Sequence, residues 1–208
     1  MKTRTNWLLL LLIAGFIFSG CSPRAKYERR LKKELSSGVR YDSLFLGLYF
    51  GMPEKIFYGH CWNLNHKGLL KQGDSNTTAE FQLKDELKYE ALMDFYPKFN
   101  QGKISEMPVS FKYKGWAPWN KKLSSDNLQI AVQKWYEKVY GGGFIKVKHP
   151  LHGTAYVKID GNRRITIFKE NDLRVWAVFT DMSVNKGWND SPSLPENNQN
   201  DTTKSIKK

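Results

Sequence analysis

Ser124-Ser125-Asp126, then Leu128, Ala131, Val132, Trp135 and Val139, then Gly141-Gly142-Gly143, form the segment that most constrains the fold of this chain. Serine and aspartate cap the free amides of a first helical turn, and glycines end a helix because they enter positive φ at little steric cost. Between those signals the apolar residues recur on one face at helical spacing. A helix with a single apolar face needs a surface to cover it, and the flanking sequence supplies strands. Val109-Ser110-Phe111-Lys112-Tyr113-Lys114 alternates apolar and polar residues, which predicts one face in the core and the other in water. The same alternation runs through Leu87, Tyr89, Ala91, Met93 and Phe95, and again through Leu173, Val175, Ala177 and Phe179. Residues 155–159 and 164–168 flank Asp160-Gly161-Asn162, a hairpin turn, and residues 144–148 precede them. The last third therefore reads as an antiparallel meander of three or four strands.

An earlier helix opens at Met52-Pro53-Glu54, where proline suits the first turn and glutamate its positive end, and closes near Gly68. Helix, strands, helix, strands is the order of an α+β fold in which two helices pack on antiparallel sheet. Two arrangements fit it: a duplicated unit of one helix and three strands, or a single irregular domain with both helices on one face of a continuous sheet.

The first 20 residues belong to a different physical class. Lys2 and Arg4 precede an almost wholly apolar run from Trp7 to Phe18, followed by Ser19-Gly20-Cys21. This is the pattern of a secretory signal peptide. Its apolar run of 12 residues is shorter than the roughly 20 a bilayer-spanning helix needs. Small residues directly before a cysteine resemble the lipobox of bacterial lipoproteins, with Phe18 where leucine is commonest. The resemblance implies removal of residues 1–20, a Cys21 carrying palmitate and other lipid as the new N-terminus, and an address in the bacterial cell envelope. That address is read as the outer membrane. Ser22-Pro23-Arg24 lacks the acidic run of surface-exported lipoproteins of Bacteroidetes, which favours the periplasmic side.

Removing 20 of 208 residues leaves 188, enough for one substantial core, here assigned to residues 41–184. Losing Lys2 and Arg4 takes the net charge from +13 to +11. So basic a chain attracts anionic lipid, acidic polysaccharide or acidic protein, and export sets nucleic acid aside as a partner. Cys61 is the only other cysteine, so no internal disulfide is expected. It shares helical spacing with Phe57 and Leu64, which reads as core packing. Residues 21–40 are rich in lysine and arginine: either a solvated tether or a basic segment resting on anionic head groups beside the lipid. Residues 185–208 hold almost no apolar side chains and read as a disordered polar tail.

Leu46-Gly47-Leu48-Tyr49-Phe50-Gly51-Met52, followed by Pro53-Glu54 and Phe57, resembles the Gly-Met signature of small SmpA/OmlA-type outer-membrane lipoproteins. Those pair a helical hairpin with a three-stranded sheet and help assemble outer-membrane proteins. In overall style the chain is similar to uncharacterised lipoproteins of Bacteroidetes, a resemblance that implies no reaction and no catalytic residue.

Chemistry-bearing patterns are sparse. His149 and His152 lie in His-Pro-Leu-His without a supporting carboxylate or thiolate, so no metal is expected, and no cofactor fingerprint is present. Asp85 and Glu86 fall in a charged linking segment, and Asp160 is explained by its turn. Asp42-Ser43-Leu44 and Asp201-Thr202-Thr203 resemble O-glycosylation triplets of Bacteroidetes.

The most suggestive surface segment runs from Lys112 to Lys122 and holds Lys114, Trp116, Trp119 and Lys121 around a glycine and a proline. One expectation is that both tryptophans fold back to cap the core. The other is that flat aromatic faces with cationic neighbours meet a sugar, a partner protein or a membrane interface. The sequence thus points to a non-enzymatic envelope lipoprotein that binds an envelope protein or glycan, the alternative being an envelope enzyme acting on glycan.

Overall fold

The computed structural model describes residues 22–73, 77–149 and 151–185. The apolar run, Cys21 and the polar tail from residue 186 lie outside them. Three α-helices and nine strands follow in order: α1 (Pro23–Ser36), α2 (Glu54–His66), β1 (Lys71–Gln72), β2 (Ala79–Leu83), β3 (Ala91–Phe95), β4 (Lys98–Asn100), β5 (Lys103–Tyr113), α3 (Ser125–Tyr140), β6 (Ile145–His149), β7 (Gly153–Asp160), β8 (Arg163–Lys169) and β9 (Val175–Asp181). The strands form one antiparallel sheet in the order β1-β2-β3-β5-β9-β8-β7-β6, with β4 paired to β5 off that path. The expectation of an α+β fold with helices on antiparallel sheet holds. Two helices were expected, and the described residues contain three.

The additional helix is α1. Ser22 caps it by accepting from the Ala25 amide at 3.1 Å, and Pro23 sits in the first turn, where a missing N–H costs nothing. In sequence this stretch reads as a tether, because its apolar stripe is reduced to Tyr27 and Leu31 among lysines and arginines. Those two pack against Val147, Val157, Phe168 and Trp176 on one face of the sheet. Leu128, Val132 and Tyr136 of α3 and Phe57 of α2 cover the opposite face. So α2 and α3 share one face of a continuous sheet, and α1 takes the other.

Coverage of both faces corrects the expectation for residues 109–114. Their polar face is dry at one end only: Ser110 is 1% exposed, and so is Asp94, its partner on β3, whereas Lys112 is half-buried and Lys114 is exposed. Period-2 alternation reports which residues share a face, whereas solvation depends on what the rest of the chain lays over it.

In α3 the predicted boundaries hold, with Ser124 capping the Asn127 amide. The buried stripe is rotated, however. Leu128, Val132 and Tyr136 are inside and Val139 is exposed. Gln129 is also buried, its amide donating to the carbonyls of Thr154 at 3.0 Å and Ile167 at 3.3 Å. A buried amide is tolerated here because both bonds are made.

The last third is the expected meander, β6 to β9. Asp160 pairs with Arg163 across a two-residue turn in which Gly161 has φ +51°. The turn is clamped from both sides, since the Gly161 amide donates to Glu34 of α1 at 2.9 Å and the Tyr41 amide donates to Asn162 at 2.6 Å. The other half contributes four strands to the path rather than three. The last strand of each half, β5 and β9, pair at the centre from Glu106–Thr180 to Phe111–Val175.

Candidate functional site

Beyond Tyr113, where β5 ends, the chain turns at Gly115 with φ +73° and re-enters regular structure at a short 3₁₀ turn, Lys121–Leu123, before α3. The loop between them separates the two tryptophans. Trp116 is half-buried, whereas Trp119 is 83% exposed, so the expectation that both fold back onto the core fails for Trp119. Its place beside Pro118 in a loop anchored at both ends holds the backbone without supplying the indole a wall. Lys114 is exposed and lies 3.1 Å from Glu90, which also accepts from Gln82 at 3.0 Å. Lys114 holds the Glu90 carboxyl below the usual carboxylate range. Lys121 is exposed, and its backbone carbonyl accepts from the Asn127 side chain at 3.0 Å, fastening loop to helix.

What the sequence reading missed is the cleft beside this loop, a cavity of about 330 Å³. Tyr89, Tyr113 and Ile130 line it, together with Lys88, Lys122 and Lys134. Four segments build it: the link before β3, the end of β5, Lys122 of the 3₁₀ turn, and the Asn127–Ile130–Lys134 side of α3. The two tyrosine rings stand edge to face with centroids 6.0 Å apart. The Lys88 ammonium lies 5.5 Å from the Tyr89 ring centre, in cation–π range. Burial raises the Tyr113 hydroxyl above its ordinary pKa, so it stays a neutral donor at physiological pH. Tyr113 and Lys122 do lie in the segment singled out from sequence. The other contributors become visible only when β3 is laid beside β5 and α3.

The remaining candidates are placed as packing groups. His149 is buried, its Nδ1 accepting from the amides of Leu151 and His152 at 3.2 Å. Both imidazoles stack on Phe168, with ring centres 5.1 and 4.3 Å away. Burial, and secondarily His152 and Arg164, lowers the His149 pKa, which keeps it neutral. Among the described residues no three of His, Cys, Asp and Glu gather as a metal site would require. Cys61 is half-buried on α2, and burial pushes its thiol up to about 11, leaving little thiolate at neutral pH.

Asp160 is held by Lys158 at 2.8 Å and Arg163 at 3.3 Å, an ion cluster at the hairpin turn. Glu86 accepts from the amides of Lys84 and Asp85, capping its own turn beside a second cleft of about 410 Å³. In the first glycosylation triplet Ser43 is exposed, while Asp42 is tied to Arg40 at 2.7 Å and to Asn162 at 3.0 Å. Cys21 and the second triplet lie outside the described residues.

A second exposed aromatic row also escaped sequence reading. On α2, Trp62 is 67% exposed and stacks on His66 at 5.5 Å, one turn from Tyr58, whose hydroxyl is 2.5 Å from that of Tyr96. Its signal was the i, i+4, i+8 spacing of three ring residues. Among the described residues no helix is long and apolar enough to cross a membrane. Compared with known families, with curated proteins and with solved structures, the chain matches none.

Proposed function

We propose that this chain is a bacterial envelope lipoprotein, anchored by lipid on Cys21 after loss of residues 1–20, whose α+β domain binds another envelope protein or glycan without catalysing a reaction. The binding surface is the loop of Lys114, Trp116, Trp119 and Lys121. The observation that carries this reading is the 83% exposure of Trp119 in a fastened loop between lysines. Leaving a large indole in water forgoes its burial, and such side chains recur at binding surfaces because a flat ring offers contact area at small entropic cost.

The anchor and the domain fit together physically. α1 begins two residues after Cys21 and docks through Tyr27, so a lipid on Cys21 would hold the domain close to the bilayer rather than on a long leash. Arg24, Lys26, Arg29 and Lys33 are exposed on that helix, each worth roughly 1 kcal/mol near an anionic surface. The outer membrane, periplasmic side, is the proposed address. We also propose that the two halves descend from one helix-plus-strands unit. What supports this is the order of the elements, each of α2 and α3 followed by a meander whose last strand reaches the centre of the sheet.

Two measurements test the reading. Metabolic labelling with a palmitate analogue should mark the wild type and not Cys21→Ala, and the variant should leave the membrane fraction. Trp116→Ala combined with Trp119→Ala should keep the melting temperature and lose binding to envelope glycan or protein fractions. Labelling independent of Cys21, or binding indifferent to both tryptophans, would refute it.

A further inference from the structure

We infer that the cleft beside the tryptophan loop is a subsite for an anionic sugar, a pyranose ring bearing a carboxylate. This deepens the proposed binding function by naming a ligand class, and it rests on that reading only for the physiological setting. The cavity, about 330 Å³, lies at the small end of the roughly 300–1,000 Å³ typical of small-ligand sites and suits one or two sugar rings. Its composition selects the class. Tyr89 and Ile130 give an apolar wall for the C–H face of a ring, and the half-buried Tyr89 keeps part of its ring open. Lys88, Lys122 and Lys134, all exposed, contribute three basic side chains to its lining, and none of the lining side chains is acidic.

Two of the neighbouring carboxylates are already engaged. Glu90 is held by Lys114 and Gln82, and Asp126, in the first turn of α3, by Lys169 at 2.8 Å. Lys122 and Lys134 form no ion pair among the described residues, and the charged side chains that line the cleft are all positive. Three like charges around one concavity repel each other and are relieved by a bound anion. A lone inorganic anion would use the lysines and leave the aromatic wall unused. A neutral sugar would use the wall and leave the charge unrelieved. An acidic sugar uses both, with the neutral Tyr113 hydroxyl able to donate to a ring or carboxylate oxygen. Trp119 stands on the adjoining loop, where a further sugar of the same chain could stack.

The test is calorimetric titration of the full-length protein in neutral detergent with oligogalacturonate, maltohexaose and inorganic phosphate. Oligogalacturonate should bind, with affinity that falls as salt rises, and maltohexaose should not. Lys122→Glu with Lys134→Glu should weaken it by at least about tenfold with the melting temperature unchanged, and Tyr89→Ala should weaken it by a similar factor. The inference is overturned if maltohexaose binds equally well, if phosphate at equal concentration displaces the acidic oligomer, if the charge reversals leave affinity intact, or if nothing binds. Trp119→Ala separates this from the broader reading: envelope binding lost in that variant, with no affinity for oligogalacturonate in the wild type, sinks the subsite and leaves the proposed function standing. Oligogalacturonate binding that needs Lys122 and Lys134, with envelope binding indifferent to Trp119, does the reverse.

Discussion

Arg40 Nη2 donates to Asp181 Oδ2 at 3.0 Å, joining the segment that leads into the domain to the end of its last strand. Asp181 is buried, and burial alone would raise its pKa. The hydroxyl and amide of Ser183, then Asn162 and Arg40, outweigh that and hold the carboxyl below its ordinary value of 3.8. A carboxyl depressed in the folded state contributes stability that is present above the unfolded pKa and is lost as pH falls through the folded one. Arg40→Ala should therefore lower the urea-unfolding free energy by about 1 kcal/mol at pH 7, the half-exposed arginine limiting the effect. The gap between variant and wild type should shrink at pH 3.

Gly161→Ala should be among the most damaging single changes at a turn, because Gly161 is buried. A Cβ there would run into the carbonyl of Val39, and the residue sits at φ +51°. A loss of about 3 kcal/mol is expected, read as a fall in thermal midpoint. A change below 1 kcal/mol would mean that the Val39 segment lifts away without consequence.

Tyr136→Phe should be neutral or stabilising, by up to about 1 kcal/mol. The Tyr136 hydroxyl is buried with no hydrogen-bond partner among the described residues, and burial holds its pKa well above the ordinary value. Removing an unpaired buried polar atom relieves its desolvation while the ring keeps its contacts with Phe111 and Phe179. Destabilisation in chemical denaturation would contradict this.

His149 should make the protein acid-sensitive near neutrality. Its folded pKa is lowered, so the unfolded chain binds a proton first, and stability declines as pH falls through the unfolded value of about 6.5. Between pH 7.5 and 5.5 the wild type should lose more stability than His149→Asn, compared as differences within each protein. Parallel pH profiles for the two would contradict the neutral, stacked imidazole.

Cys61 should alkylate slowly. With its thiol pushed up to about 11, reaction with iodoacetamide at pH 7.5 should be about a hundredfold slower than in urea. Equal rates would show that α2 opens readily around it.

Local chemistry was legible wherever a short segment decides its own conformation. Ser124 and Gly141 bound α3 as their capping preferences require, and Gly161 sits in a turn that only a residue tolerant of positive φ closes cheaply. α1 was not legible, because a helix needs just two apolar residues, Tyr27 and Leu31, when the sheet face beneath it is already formed. The rotation of the α3 stripe from Val139 to Tyr136 has a similar origin. Helical spacing admits both, and the position of β8 and β9 beneath the helix chose between them.

The candidate site divides along the same line. Lys114, Trp116, Trp119 and Lys121 were marked by composition within one loop, which sequence displays directly. The separation of an exposed Trp119 from a half-buried Trp116 depends on where the loop is tied to Glu90 and Asn127. Lys88, Tyr89 and Lys134 join them through space alone.

By itself, then, the sequence determined the ends of α2 and α3, the hairpin at Gly161, the shared faces of the strands and the chemical character of the tryptophan loop, because caps, turns and periodicity act over a few bonds. Only the tertiary structure decided that both sheet faces are covered, that β5 and β9 meet at the centre, and that three lysines gather around Tyr89. Those outcomes depend on contacts between residues far apart in the chain, whose free energy is set by burial and by which charges are left without a partner.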